Sequence, residues 1–472
     1  MKIISDSTPL IDGYRMPAEF SSHSGCIIIF PERPDSWQYG GVKAKRAFCE
    51  VACAIAKSEK VTVLASFEQY ENARRMLPPH IRVVEMSSDD AWARDVSPEF
   101  VVNDKGNMRG VDWYFNAWGG LVDGLYFPWD KDNKIARKVC DMLDVDVYDF
   151  SDFVLEGGSI SADGEGTILT TEACLLSAGR NPQLSKAEIE ENLCEGLGAK
   201  KVIWLPGGIL GDETNEHVDN ICVFAAPHTV LLSWCEDETS EQYRMCRACL
   251  DVLENSTDAL GRKIDVVKLA MPNPIYMTEE EVAGLDLFDG EPTRDTVSPL
   301  SASYVNLYIG NKVVVMPAFG GENTEYDLRA KSEVQKVFPD REIIQIYARD
   351  ILIGGGRVQL AVLHSVQPFL RSGLQVGQRV LNSDQRTGLV GQALADGLLA
   401  QIHAEAVLCV VLEQAVCPGR ALAGQTVAGV RGRCGRAAPD GRAAGGVGDV
   451  HTVAKELGDE ARVARLGAAG AG

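Results

Sequence analysis

Residues 303–319, SYVNLYIGNKVVVMPAF, decide how this chain folds. Two runs rich in Val, Tyr and Ile flank Gly310-Asn311, so the stretch predicts a β-hairpin with a tight turn. A helical pattern follows over 325–338, and a short apolar strand over 343–347.

The same order recurs upstream. Apolar or alternating runs occupy 25–30, 99–115, 159–176 and 220–234. The last three break at 103–107 (NDKGN), at 163–166 (DGEG) and around Pro227-His228, so they also read as hairpins. Helical patterns cover 42–58, 132–143, 185–196 and 240–260, and short strands follow each at 61–65, 145–148, 201–205 and 264–269. Five similar units of hairpin, helix and strand imply a mixed α/β fold built as a closed radial array. Hairpins and strands would face a central axis, with helices outside. A doubly wound sheet is the competing arrangement, but it predicts fewer antiparallel hairpins.

The composition breaks near residue 357. All 7 tryptophans and all 12 tyrosines of the 472-residue chain precede it. The 116 residues from Arg357 onward hold one phenylalanine, one lysine and eleven arginines. That tail is about +3 within a chain of −21, so the preceding part carries about −24. Residues 1–356 are therefore expected to form the folded domain. Residues 357–472 are expected to be an Arg/Ala/Gly/Val-rich tail, the product of a reading-frame shift, and poorly ordered because few large side chains offset the entropy of ordering. A genuine linker with a basic end is the alternative.

The strong negative charge excludes nucleic acid as a partner, since phosphate binding needs a basic surface. It suits a small cationic ligand. No apolar run is long enough to span a membrane, and the first residues lack a signal-peptide pattern. The expectation is a soluble cytoplasmic protein, with self-association compatible with its acidic surface. The 13 cysteines form no framework, so they read as reduced. Cys246-Arg247-Ala248-Cys249 lies on a helical pattern without a second pair, which favours two buried helix residues over zinc or redox chemistry.

Three polar clusters carry the chemistry: Asp89-Asp90-Ala91-Trp92-Ala93-Arg94-Asp95, Leu155-Glu156-Gly157-Gly158-Ser159, and Gly211–Asn220 with His217-Val218-Asp219. A carboxylate accepts a planar guanidinium in a bidentate way. Asp95 suits that task; a surface pair with Arg94 is the other reading. Glu156 follows an apolar run and precedes two glycines, so a partly desolvated carboxylate with a raised pKa is expected, unless it is a plain turn residue. On a strand, His217 and Asp219 would share a face, one moving protons and the other binding a cation. No second histidine stands at ligand spacing, so no metal and no other cofactor is expected. Trp92 reads either as a cover for an apolar stem or as core.

Residues 1–356 resemble the agmatine deiminases of the guanidino-group-modifying superfamily, relatives of the peptidylarginine deiminases. The resemblance rests on GYRMPAE at 13–19, DDAWARD at 89–95, LEGGS at 155–159, HVD at 217–219, YVNLYIGNKVVVMPAF at 304–319 and Gly354-Gly355-Gly356. It implies a five-bladed, pseudo-symmetric α/β propeller, incomplete here at its C-terminal end. It implies hydrolysis of agmatine to N-carbamoylputrescine and ammonia, a step of putrescine and polyamine biosynthesis. Asp95 and Asp219 would bind the guanidinium, and Glu156 and His217 would do acid/base work. Trp92 would cover the four-carbon stem, and Glu213 would pair with the distal ammonium. Arginine as substrate would instead demand a cation for its carboxylate, and the sequence identifies none.

The family's nucleophile is missing. The glycine run should lead through Asn-Ile-His to a cysteine that forms a thiouronium intermediate. Here it continues Arg357-Val358-Gln359-Leu360, with leucine at the cysteine position. Codons shifted by one nucleotide across residues 363–366 permit Cys-Thr-Gln. As written, the chain is expected to be an impaired agmatine deiminase. The alternatives are a guanidino-binding pseudoenzyme, or a deiminase of free or peptidyl arginine.

Overall fold

The computed structural model describes residues 1–286 and 294–355, with the backbone of strand Val362–Val366. These lie within a compact unit, Met1–Gly373; a second unit, Leu374–Gly472, is outside the described residues. The compact unit thus extends past the composition break at 357.

The unit read from residues 303–319 is an antiparallel pair, Tyr308–Ile309 with Val313–Ala318, in which Tyr308 faces Val315. Helix Thr324–Val337 then crosses over, and Glu342–Tyr347 returns parallel to the second strand, Val315 against Ile344. Antiparallel hairpin and parallel return are what a short turn and a helical crossover respectively permit. The arrangement recurs three times. Glu99–Asn103 and Met108–Tyr114 are followed by helix Ile135–Met142 and strand Val147–Val154. Ser161–Ala162 and Thr167–Thr171 precede Lys186–Leu197 and Lys201–Leu205. Cys222–Ala226 and Thr229–Trp234 precede Glu241–Glu254 and Asp265–Ala270.

In the remaining unit His23–Ile29 is followed by helix Gln38–Ile55 and by Val61–Ala65, which runs parallel to it. Its antiparallel partner is Val362–Val366, Leu363 against Ile27. The chain end expected to be incomplete therefore supplies a strand to the first unit. Helix Phe67–Met76 and strand Arg82–Glu85, with no counterpart in the sequence reading, extend this sheet.

Local chemistry sets the helix ends. Ser185 and Glu188 form a reciprocal capping box before Lys186–Leu197. Gly198 ends that helix at φ 61°, where a side chain would also collide with the Tyr14 carbonyl. Cys246, Cys249, Leu250 and Leu253 form the buried stripe of Glu241–Glu254, so the Cys-x-x-Cys pair is core packing between free thiols. No helix among the described residues is long and apolar enough to cross a membrane.

Two local expectations are corrected. His217 and Asp219 are not on a strand; they open a single helical turn, Val218–Ile221. The run 159–176 ends in helix Glu172–Leu175, capped by the Thr171 hydroxyl, which accepts from the Cys174 N–H.

Candidate active site

The segment 89–95 is fixed by buried carboxylates on either side. Asp132 accepts the backbone N–H groups of Asp89 and Asp90 at 2.6 and 3.0 Å. Asp90 accepts from both indoles, Trp37 at 3.0 Å and Trp92 at 3.1 Å, and from the Ser36 hydroxyl at 2.9 Å. Trp92 is 2% exposed; its ring lies 5.1 Å from that of Trp37 and 6.3 Å from that of Phe48. These contacts pack Trp92 into an aromatic cluster with Trp37 and Phe48.

One turn, Ala93–Val96, then carries Arg94 and Asp95 inward. Arg94 does not pair with its neighbour at the surface. It is buried, 2.9 Å from Glu19 and 3.8 Å from Glu99, with Asp219 also in its electrostatic surroundings. Asp95 accepts the Trp118 indole N–H at 3.0 Å and the Gly158 N–H at 2.8 Å. Burial and the nearby Glu156 push its carboxyl up, while His217, Gly158 and Trp118 act against that.

Glu156 follows strand Val147–Val154 and is fully buried. A glycine is required next to it, because a side chain at 157 would strike the Arg94 carbonyl and the Glu99 carboxylate. Arg180 Nε lies 2.8 Å from Glu156 Oε1, and His217 Nε2 lies 3.7 Å from Oε2. The expectation of a raised pKa is overturned. Burial does push the carboxyl up, but Arg180 and His217 outweigh it and hold Glu156 below the ordinary glutamate range. His217, also fully buried, is moved the other way. Burial disfavours its charge, but Cys174, Glu156 and Asp95 raise its pKa well above the usual histidine value. Asp219 is buried in the same turn, two residues on.

The structure therefore brings Asp95, Glu156 and His217 together, with Asp219 linked through Arg94. Glu213 has other company. Its carboxylate is held by Arg294, and both line a cavity of about 350 Å³ with Leu352, Gly355 and Ser301. Gly354 packs its backbone against the Trp37 indole, and Gly355 takes φ +91°. Gly356 and Leu360, and with them the expected cysteine position, lie outside the described residues.

Ligand atoms of Glu156, Cys174 and His217 lie within 4.8 Å of one another. The cation beside this Glu156 is already present as the Arg180 guanidinium, which disfavours a divalent metal there. The group instead suits holding and moving protons. Sequence reasoning missed Arg180, Trp118, Cys174 and Asp132. Each is isolated in sequence from the clusters it serves, and no periodic or spacing signal marks it.

Residues 15–362 match the profile of the Porphyromonas-type peptidyl-arginine deiminase family. A Listeria monocytogenes protein provisionally named agmatine deiminase 1 is 54% identical over 353 residues, which is 75% of this chain and 96% of its own. The Pseudomonas aeruginosa agmatine deiminase is 51% identical over 353 residues, 75% of this chain and 95% of that protein. The structure of the Enterococcus faecalis agmatine deiminase superposes with a TM-score of 0.76 at 45% identity, covering 78% of this chain and all of that one. With a mixed α/β fold of the same type, and over the first three quarters of its length, this chain belongs to the agmatine deiminase family.

Proposed function

We propose that the five units close radially around a guanidinium site, and that the site is built for agmatine. In this reading Asp95 and Asp219 accept the guanidinium, and His217 donates a proton to the departing ammonia. Glu156, held ionised, accepts a proton from the attacking water. The product is N-carbamoylputrescine, placing the family reaction in putrescine formation in the cytoplasm. The carrying observation is the buried grouping of Asp95, Glu156 and His217, a set that desolvates and orients a delocalised cation.

The thiouronium step needs a thiolate, and Leu360 offers none. We therefore read residues 1–356 as the binding and proton-transfer machinery. The chain as written binds agmatine without efficient turnover, as a pseudoenzyme would. Resequencing the gene around codons 350–370 decides whether residues 357–472 are a frame-shifted tail. Calorimetric titration with agmatine and an ammonia-release assay test the reading itself. Binding without release is expected; robust release places a nucleophile elsewhere.

One observation favours arginine as a second substrate. Arg294, beside Glu213, is a cation that a substrate carboxylate could meet. Preference for arginine over agmatine in the same titration discards the Glu213–ammonium assignment.

A further inference from the structure

Arg180 is buried to 4% exposure; its Nη1 and Nη2 donate hydrogen bonds, and its Nε forms an ion pair. Nε lies 2.8 Å from Glu156. Nη1 donates to the Trp118 carbonyl and, at 2.7 Å, to Asn215 Oδ1. Nη2 donates at 3.0 Å to the Thr214 carbonyl. Trp118 is the residue whose indole holds Asp95, and Thr214-Asn215 is the chain leading into His217.

Both of those backbone segments are strained. Ala117 and Trp118 have φ of 56° and 65°, and Asn215 and Glu216 have 61° and 64°. Left-handed conformations at non-glycine residues are costly and persist only when the surroundings over-determine them. One guanidinium holds both strained pairs and the Glu156 carboxylate. A lysine ammonium, a single point of charge, cannot match this forked set of donors.

We propose that Arg180 is a positioning residue: it locks Glu156, the Trp118 support of Asp95 and the approach to His217 into the one arrangement that receives a guanidino group. The inference rests on the family reading for its ligand, but not for its structural part.

The test uses the full chain and the variants R180M, R180K and N215A. Hydrogen–deuterium exchange is followed without ligand, and agmatine affinity is followed by calorimetry. R180M and R180K are expected to speed exchange about tenfold at both 117–119 and 213–217, leaving distant strands unchanged, and to weaken agmatine about tenfold or more. Glu156 faces Arg180 and His217, with Asp95 and Cys174 close by. Arg180 is one of the groups that hold the Glu156 carboxyl low, so without its charge R180M should lose affinity as the pH is lowered, while R180K stays level. N215A, which removes the Asn215 acceptor for Arg180 and also the Asn215 amide donation to Asp123 at 3.1 Å, is expected to weaken agmatine severalfold and covers the case in which R180M does not fold. Exchange unchanged at both segments, or accelerated equally everywhere, overturns the proposal. So does wild-type affinity in a folded R180M or N215A protein. If the unmodified chain fails to bind agmatine, the family reading falls, and the exchange result still decides on Arg180.

Discussion

Arg294 grips Glu213 with two nitrogens, Nε at 3.2 Å from one oxygen and Nη2 at 2.9 Å from the other. The carboxylate expected to meet a substrate ammonium is thus already neutralised by a residue 81 positions away, which also donates to the Ile353 carbonyl. The pair is partly exposed, so displacing Arg294 is not costly. R294A should tighten agmatine severalfold and weaken arginine. Calorimetry with both ligands checks this; an unchanged ratio removes the pair from any part in selectivity.

Asp95 tests the guanidinium site directly. D95N keeps the shape but removes the charge that a cationic fork would meet, and it puts an amide N–H₂ where an acceptor is needed. Agmatine affinity should fall about 10- to 100-fold, the range for losing a charged hydrogen bond in a buried site. Wild-type affinity in a folded D95N protein would falsify its role.

Gly157 has no room for a methyl group. In G157A either the Arg94 carbonyl or the Glu99 carboxylate must move. A loss of about 1–3 kcal/mol in urea unfolding is expected, as for other overpacked sites. Weaker agmatine binding should accompany it, because Glu156 is the preceding residue. A stable G157A protein with intact binding contradicts the packing described.

Asp132 carries a pH signature. It is buried without a cation, and burial raises its carboxyl to about 8, against the opposing hydrogen bonds from Tyr126 and the Asp89 N–H. The folded-state value lies above the unfolded one. The stability it contributes is therefore complete below about pH 4 and is lost as pH rises towards 8, at about 1.4 kcal/mol per pH unit. D132N should flatten this slope in urea titrations at a series of pH values. An unaltered slope assigns the dependence to other groups.

The sequence by itself determined the repeating plan. Alternation and helical periodicity located the hairpins and the long helices because each buries one face, and residue spacing records that directly. It also exposed Asp95, Glu156, His217 and Asp219, since each stands in a compact polar motif. Helix Phe67–Met76 escaped because only Ala73 within it is buried, leaving little apolar pattern to read.

Only the tertiary structure decided the electrostatics. Glu156 is held ionised by Arg180, Trp92 is walled in by Trp37 and Phe48, and Glu213 is taken by Arg294. Periodicity is a local property carried by neighbours along the chain. A pKa or an ion pair depends on groups brought within a few ångströms from distant segments, and no spacing rule encodes that distance.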